Sequence, residues 1–398
     1  MAYFHHSTAI STLEWNLANL PVRIENARFT LSHPFWDYGS VTAAQVKALA
    51  RESGFELAGI ARAEPLEQDS QRYRDWVERG MAGAMGYLTD HRAEVRADPR
   101  LLLATARSII CVGKLYNGPQ PRSTDVNDAA LGWVSRYAWG QDYHQVVRRG
   151  LELLVEKLGG GHECKVCVDT APLLERSYAR EAGLGWIGKN TCLINQEIGS
   201  WVFLGEIVTS LEIEPDTAPP DRCGTCTRCI DACPTQAIPA GGYEIDARRC
   251  IPYFTIELHG SVPEDMRAGI GQHIFGCDIC QDVCPWNRKA PWTAEQAFEP
   301  QHFAPALDDL ASLSEAEFRE MFRTSPIQRA KYAGFLRNVA IAMGNSKLEK
   351  FREPLDQLTQ FPNEMVAEHA RWALAELDKP TACLDKPEVC PTENNQLS

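Results

Sequence analysis

The sequence predicts three folded units in series: a layered α/β (α+β) domain, a cysteine-rich module and an all-helical tail. Three observations predict this. Helical and strand patterns alternate from Val41 to about Ile213, eight of the 14 cysteines crowd between Cys223 and Cys284, and apolar residues then recur at helical spacing as far as Leu377. A chain of 398 residues exceeds one ordinary domain, and 44% hydrophobic with 23% charged residues is ordinary for a globular protein. No apolar run reaches the roughly 18 residues of a membrane span. The first 40 residues lack a secretory signal and a twin-arginine pair, so a cytoplasmic protein with no membrane partner is expected. In a reducing compartment, clustered thiols bind metal or do redox work. The net charge of −13 gives no general attraction to nucleic acid, so such a partner would need a local basic surface.

Residues 1–40 read as an N-terminal extension of mixed polarity. In the domain over 41–213, Val41–Ala50 has helical spacing behind a Thr42 cap, and Glu56–Ile60 follows as a strand. Ser108–Val112, Cys164–Val168 and Trp201–Leu204 read as further strands, and Ala171–Ala182 as a helix. The proline-rich break Glu214–Asp221 opens the module over 214–291. Ser314–Phe322, Arg329–Met343 and Glu364–Leu377 then have helical spacing, so 292–378 is expected to form packed helix pairs, up to a short solenoid. Residues 379–398 are a polar tail.

Cys223, Cys226, Cys229 and Cys233, followed by Pro234, have the spacing C-x2-C-x2-C-x3-C-P. Cubane clusters need four thiolates, soft ligands suited to iron and sulfide, and two-residue gaps let one tight loop aim three sulfurs at a cluster. In two-cluster bacterial ferredoxins the fourth cysteine reaches the other cluster. The second half, Cys277, Cys280, Cys284 and Pro285, lacks a first cysteine, and Cys250 is expected to replace it from a distance. The crossed assignment puts Cys223, Cys226, Cys229 and Cys284 on one 4Fe-4S cluster and Cys233, Cys250, Cys277 and Cys280 on the other. Structural zinc is the bland alternative, disfavoured by the three-cysteine run and the two Cys-Pro endings.

Upstream, Val168–Arg176 reads as a strand end entering a helix, and Ala182–Asn190 as a glycine-dense loop. Asp169 is either a carboxyl whose pKa burial raises, fit to donate a proton, or a helix N-cap ahead of Pro172. The glycines either admit a bulky ligand or simply turn tightly. Asp142-Tyr-His144 is a fragment of a cobalt-ligating D-x-H-x-x-G pattern with Val147 in place of the glycine, and a structural histidine is the expected reading. Cys164 and Cys167 read as small buried hydrophobes. Arg323 to Arg352 holds seven basic residues against Glu349 alone, either a phosphate-binding surface or a solvated helix face.

Taken together the motifs resemble the epoxyqueuosine reductase family. The matching stretches are Ser-Arg-Tyr-Ala-Trp-Gly at 135–140, Asp-Tyr-His at 142–144, Asp-Thr-Ala-Pro at 169–172 and Ala-Gly-Leu-Gly-Trp-Ile-Gly-Lys-Asn at 182–190. Gly-Ser-Trp at 199–201, both cysteine runs, Cys-Pro-Trp-Asn at 284–287 and Leu-Arg-Asn at 336–338 extend the match. The resemblance implies a cobalamin-binding α/β domain, a bacterial two-cluster ferredoxin-like module and a HEAT-like helical tail. It further implies reduction of epoxyqueuosine to queuosine at the tRNA wobble position. In that reading the clusters relay electrons to base-off cobalamin, low-valent cobalt attacks the epoxide, and Asp169 donates the proton. Carried over by motif, Arg136, Tyr137, Asp169, Lys189, Asn190, Ser200 and Leu204 would contact cobalamin. The substrate raises the standing of the basic tail, where Arg323, Arg329, Lys331, Arg337 and Lys347 are expected to meet tRNA. A monomer with a separate electron donor is expected. The competing readings are a reductive dehalogenase-like enzyme and a ferredoxin-type electron carrier.

Overall fold

A computed structural model of the chain describes residues 41–379; the N-terminal extension and nearly all of the polar tail lie outside the described residues. Helix α1 (Ala43–Glu52) starts at Thr42, whose hydroxyl accepts from the Gln45 amide while the Gln45 side chain answers the Thr42 amide. Strand β1 (Leu57–Arg62), α2 (Glu67–Glu78), α3 (Arg92–Ala97), β2 (Ser108–Leu115), the short β3 (Trp133–Val134) and α4 (Tyr143–Leu158) follow. Next come β4 (Cys164–Cys167), α5 (Glu175–Glu181), the β5 (Trp186–Ile187) and β6 (Leu193–Ile194) hairpin, and β7 (Val202–Thr209).

The main sheet has the order β1-β2-β7-β4 and every pairing is antiparallel, so the domain is the α+β variant of the expected class. Period-2 alternation sorts its residues. Ile110, Val112, Phe203 and Ile207 pack under α1 and α4 with Val46, Val147 and Leu151. Ile109, Cys111, Cys167 and Val208 face α5, where Tyr178 and Ala179 cover them. Glu206 lies on this second face, directly opposite Cys111 in β2 and Cys167 in β4.

The cysteine module contributes α6 (Arg228–Asp231), α7 (Glu264–Ile270), β8 (His273–Phe275) and α8 (Ile279–Asp282). Strand β8 pairs in parallel with β3, which ties this module to the sheet domain by backbone hydrogen bonding. The tail consists of α9 (Leu307–Ala311), α10 (Glu315–Met321), α11 (Tyr332–Ser346), α12 (Arg352–Leu358) and α13 (Glu364–Asp378). Helix α11 is apolar nearly all round, and its Leu336 and Val339 share one core with Trp133, Val134 and Phe275. The tail is therefore packed into the same body as the other two units, and α11 is its buried axis. No helix among the described residues is long and apolar enough to cross a membrane.

Candidate active site

Asp169 lies two residues beyond β4, in a left-handed backbone conformation with φ of 50°. Aspartate tolerates that region better than bulkier residues do. Helix α5 begins only at Glu175 with Leu174 as its cap residue, so Asp169 is not its N-cap and the predicted helix is four residues shorter at this end. The turn frees the Asp169 carboxylate to face the start of α4.

There Asp142 caps α4 by accepting from the His144 amide at 3.0 Å, and the same oxygen meets His144 Nδ1 at 2.6 Å. His144 Nε2 lies 3.1 Å from Asp169 Oδ2. Both ring nitrogens face carboxylates, so the ring is held as imidazolium with a proton on each nitrogen. Burial opposes that charge, but the hydrogen bonds and charges of Asp142 and Asp169 outweigh it and raise His144 to about 9. His144 is therefore more than the structural histidine expected from its sequence context.

The expectation for Asp169 reverses in sign. Burial does push its carboxyl up, but the bond and charge of His144, with the Arg329 charge, hold it below the usual carboxylate range. Its side chain remains 42% accessible although Tyr143, His144 and Arg329 all act on it. Tyr137 and Tyr143 meet edge to face at 6.2 Å, and Tyr143 stacks at 4.2 Å on Phe203, which anchors it in the core under α4. Behind Asp169 are two further carboxyls that the sequence did not single out. Among the described residues, Glu175 Oε1 and both carboxylate oxygens of fully buried Glu206 have no hydrogen-bond partner.

Four of the seven predicted cobalamin contacts are committed to protein partners. Arg136 is sandwiched over Trp139 and Trp201 at 4.4 and 5.0 Å, and its guanidinium donates to the Gly118 carbonyl. Lys189 donates to the carbonyls of Gly224 and Cys226, clamping the first cysteine loop. Asn190 donates to the Cys280 carbonyl at 3.4 Å, and Ser200 bonds Gln281 and Asn287. These residues join the sheet domain to the cysteine loops. Tyr137 lies within charge range of Asp169, and Leu204 is partly exposed on the Glu206 face of β7. The glycine-dense loop serves internal packing: a Cβ on Gly185 or Gly188 would stand 2.3 or 2.4 Å from atoms of Ile194.

The eight cysteines gather in two groups. Cys229 lies within charge range of Cys223, Cys226 and Cys284, and these four line a cavity of about 270 Å³. Cys277 lies within the same range of Cys233 and Cys250, and Cys280 adjoins Cys250 and Cys277. Cys250, distant in sequence, is thus brought into the second group. Among the described residues no three His, Cys, Asp or Glu side chains converge on a single-ion position. A ninth thiol, Cys192, bonds Cys280, and nothing in its sequence context signalled that.

The basic tail is largely neutralised by carboxylates from other elements. Arg329 pairs with Glu257 at 2.6 Å, Lys347 with Glu376 at 2.7 Å, and Lys350 with Asp308 at 3.2 Å. Arg337 leaves the predicted surface altogether: it is 1% exposed and donates to the carbonyls of Phe254, Leu258 and Gly260. Arg323 and Lys331 remain exposed.

Comparison with known proteins places these features in a family. Residues 96–170 match the family model described as Epoxyqueuosine reductase QueG, DUF1730, and residues 222–287 match the 4Fe-4S double cluster binding domain. An epoxyqueuosine reductase of Xanthomonas campestris pv. campestris is 43% identical over 342 residues, covering 84% of this chain and 96% of that one. The Escherichia coli K12 epoxyqueuosine reductase is 36% identical over 351 residues, covering 86% and 91%. A crystal structure of epoxyqueuosine reductase with an epoxyqueuosine-modified tRNA-Tyr stem loop superposes with a TM-score of 0.77 at 30% identity, covering 84% of this chain and 90% of that one. The enzyme from Streptococcus thermophilus gives 0.76 at 33% identity, covering 85% and 90%. With relatives of this identity matched over almost their whole length, the chain belongs to the epoxyqueuosine reductase family.

Proposed function

We propose that this chain reduces epoxyqueuosine in tRNA to queuosine, with Asp169 delivering protons to the departing epoxide oxygen. The observation that carries the reading is the Asp142–His144–Asp169 relay, which keeps the Asp169 carboxylate open to solvent in the domain that grips the cysteine loops through Lys189, Asn190 and Ser200.

Two groups of four thiols, one around a cavity of about 270 Å³, fit cubane clusters in donor chemistry and spacing. Cys223, Cys226, Cys229 and Cys284 would hold one; Cys233, Cys250, Cys277 and Cys280 would hold the other. The solvent-open Asp169 carboxylate, Tyr137 within its charge range and partly exposed Leu204 offer polar and apolar contacts that suit a flat macrocycle fringed with amides, so these three would border cobalamin with its nucleotide base off the metal. Bound there, the corrinoid supplies a reducible, carbon-attacking metal fed by single electrons from the clusters.

The protein's own part is proton management. At rest the proton sits on His144, because Asp169 is held ionised and Asp142 stabilises the imidazolium. As negative charge develops on the epoxide oxygen, that oxygen becomes a far stronger base than a carboxylate. Asp169 then hands on the proton it draws from His144. Without this transfer an alkoxide would be left uncompensated in a site that bound cofactor and substrate close to water. A pure electron carrier has no use for such a relay.

The helical tail is read as HEAT-like, and exposed Arg323 and Lys331, with Arg329 within charge range of Asp169, as contacts to the anticodon stem. A monomer served by a separate electron donor completes the reading. The test is anaerobic reconstitution with iron, sulfide and cobalamin, followed by a low-potential reductant and an epoxyqueuosine-bearing stem loop. Reductant-dependent formation of queuosine is expected. A fully loaded protein that leaves the epoxide untouched contradicts the proposal.

A further inference from the structure

Epoxide removal consumes two electrons and two protons: both C–O bonds break, a C=C bond forms, and the oxygen leaves as water. If the electrons come from the clusters, the protein must still provide two protons in a site that cofactor and substrate close to solvent. His144 stores one. We propose that Glu175 stores the other and passes it to Asp169 after the first has been spent. This rests on the reading of Asp169 as the group that protonates the oxygen.

The geometry places Glu175 for that task. It is the first residue of α5, and the backbone amide of Asp169 lies against its carboxyl. Its Oε1 is sealed from solvent without a hydrogen-bond partner among the described residues, and Glu206, fully buried on the central strand, has none among them for either oxygen. An ionised carboxylate left in a core without a donor is far costlier than a neutral carboxylic acid. Two adjacent carboxyls in that position therefore retain protons.

The groups facing Glu175 agree. Asp169 faces it from the loop after β4, Tyr143 and His144 from α4, Glu206 from β7, Cys111 from β2 and Cys167 from β4. The one neighbouring cation on its own helix, Arg176, turns outward and donates to the Thr191 carbonyl at 3.1 Å. Burial, then the Asp169 charge, push Glu175 up to about 8, with Arg176, the Asp169 amide and His144 opposing. Glu206 is displaced further the same way, by burial and then by Glu175 and Asp169. A neutral acid thus stands beside the ionised aspartate to which it would pass its proton.

The test has two parts. Infrared pH-difference spectra of the reconstituted resting enzyme should show a protonated carboxyl band that titrates near pH 8. That band should vanish in Glu175→Gln and persist near pH 8 in Glu206→Gln, since Glu206 is still neutral while Glu175 titrates. In single turnover, the wild-type rate should fall above neutrality with the steepness of two protons. Glu175→Gln, with its fold checked by circular dichroism, should react at least ten-fold more slowly at pH 7 and fall with the steepness of one. Glu175→Asp should recover part of the rate. The proposal is overturned by a wild type with no carboxyl band assignable to Glu175, or by a Glu175→Gln rate within two-fold and of unchanged steepness. Failure of the Asp169 reading looks different: Asp169→Asn would turn over while the Glu175 band persisted.

Discussion

Replacing Asp142 with asparagine isolates the electrostatic half of the proton relay. Asparagine keeps the cap on α4 and the side chain's shape, so the helix start should survive. What disappears is a negative charge 2.6 Å from His144 Nδ1. His144 stands at about 9 against an ordinary 6.5. That difference is about 2.5 pH units, or about 3.4 kcal/mol between the two protonation states. Two carboxylates supply the rise against burial, and their side chains are 35% and 42% open to solvent, which weakens each. Asp142 is the larger contributor of the two, so half of the net rise, discounted for solvent screening, is a lower bound of about 1–2 kcal/mol, or about one pH unit. His144 in Asp142→Asn should then titrate near pH 8, and the protonated fraction at pH 8 should fall from about nine-tenths to about one-half. Turnover of an epoxyqueuosine stem loop should drop about two-fold at pH 8 and about five-fold at pH 9, yet hardly change at pH 6. NMR titration of the imidazole and an anaerobic pH–rate profile read the two effects independently. An unmoved imidazole titration would refute the electrostatic reasoning, and a moved titration with an unmoved rate profile would refute its link to turnover.

The remaining predictions follow from single residues. Cys250→Ser should lower the iron content from about eight to about four per chain and leave the cluster at Cys223 spectroscopically intact; loss of all iron or of none would contradict the grouping. Arg337→Met should cost about 3 kcal/mol, because it strips donors from three carbonyls in a shared core, and should lower the melting temperature without changing the salt slope of tRNA binding. Charge reversal at Arg323 and Lys331 should weaken tRNA binding and reduce the logarithmic salt slope by about 0.7–0.9 for each phosphate no longer neutralised, measured by anisotropy at several salt concentrations. The His144 contribution to folding stability should be complete below about pH 6.5 and fade as pH rises through about 9, since its folded pKa is raised. A denaturation midpoint that falls across that window in the wild type, and falls less in His144→Gln, would agree.

Local signals in the sequence were accurate where the chemistry is local. Thr42 caps α1 as expected, with Gln45 completing a capping box, and the Cys-x2-Cys runs make the tight loops their spacing requires. Cys250 could be assigned only by counting what the second run lacked, and its position beside Cys233 and Cys277 depends on the fold. The ionisation of Asp169 was misread for the same reason. Desolvation can be guessed from an apolar strand, but the histidine that overrides it lies 25 residues upstream on another element. Likewise the basic tail looked unopposed because Glu257, Glu376 and Asp308 approach from sequence-distant elements. Arg337 sits on a helix apolar on nearly every side, a pattern that signals burial but was outweighed by the count of positive charges around it. Glu175, which opens a helix, and Glu206, a lone acidic residue in a strand, gave no signal, since each reads as solvent-facing until both sides of the sheet are known to be covered.

The central claim is that Asp169 delivers protons to the epoxide oxygen of tRNA-borne epoxyqueuosine. The most direct measurement is single turnover of a modified stem loop by anaerobically reconstituted Asp169→Asn, with iron, cobalamin and stem-loop binding quantified in the same preparation. The account predicts full cofactor loading, stem-loop affinity within about three-fold of wild type, and conversion slowed at least about 100-fold, the range expected when a general acid is removed. Conversion within a few-fold of wild type by that loaded variant would contradict it.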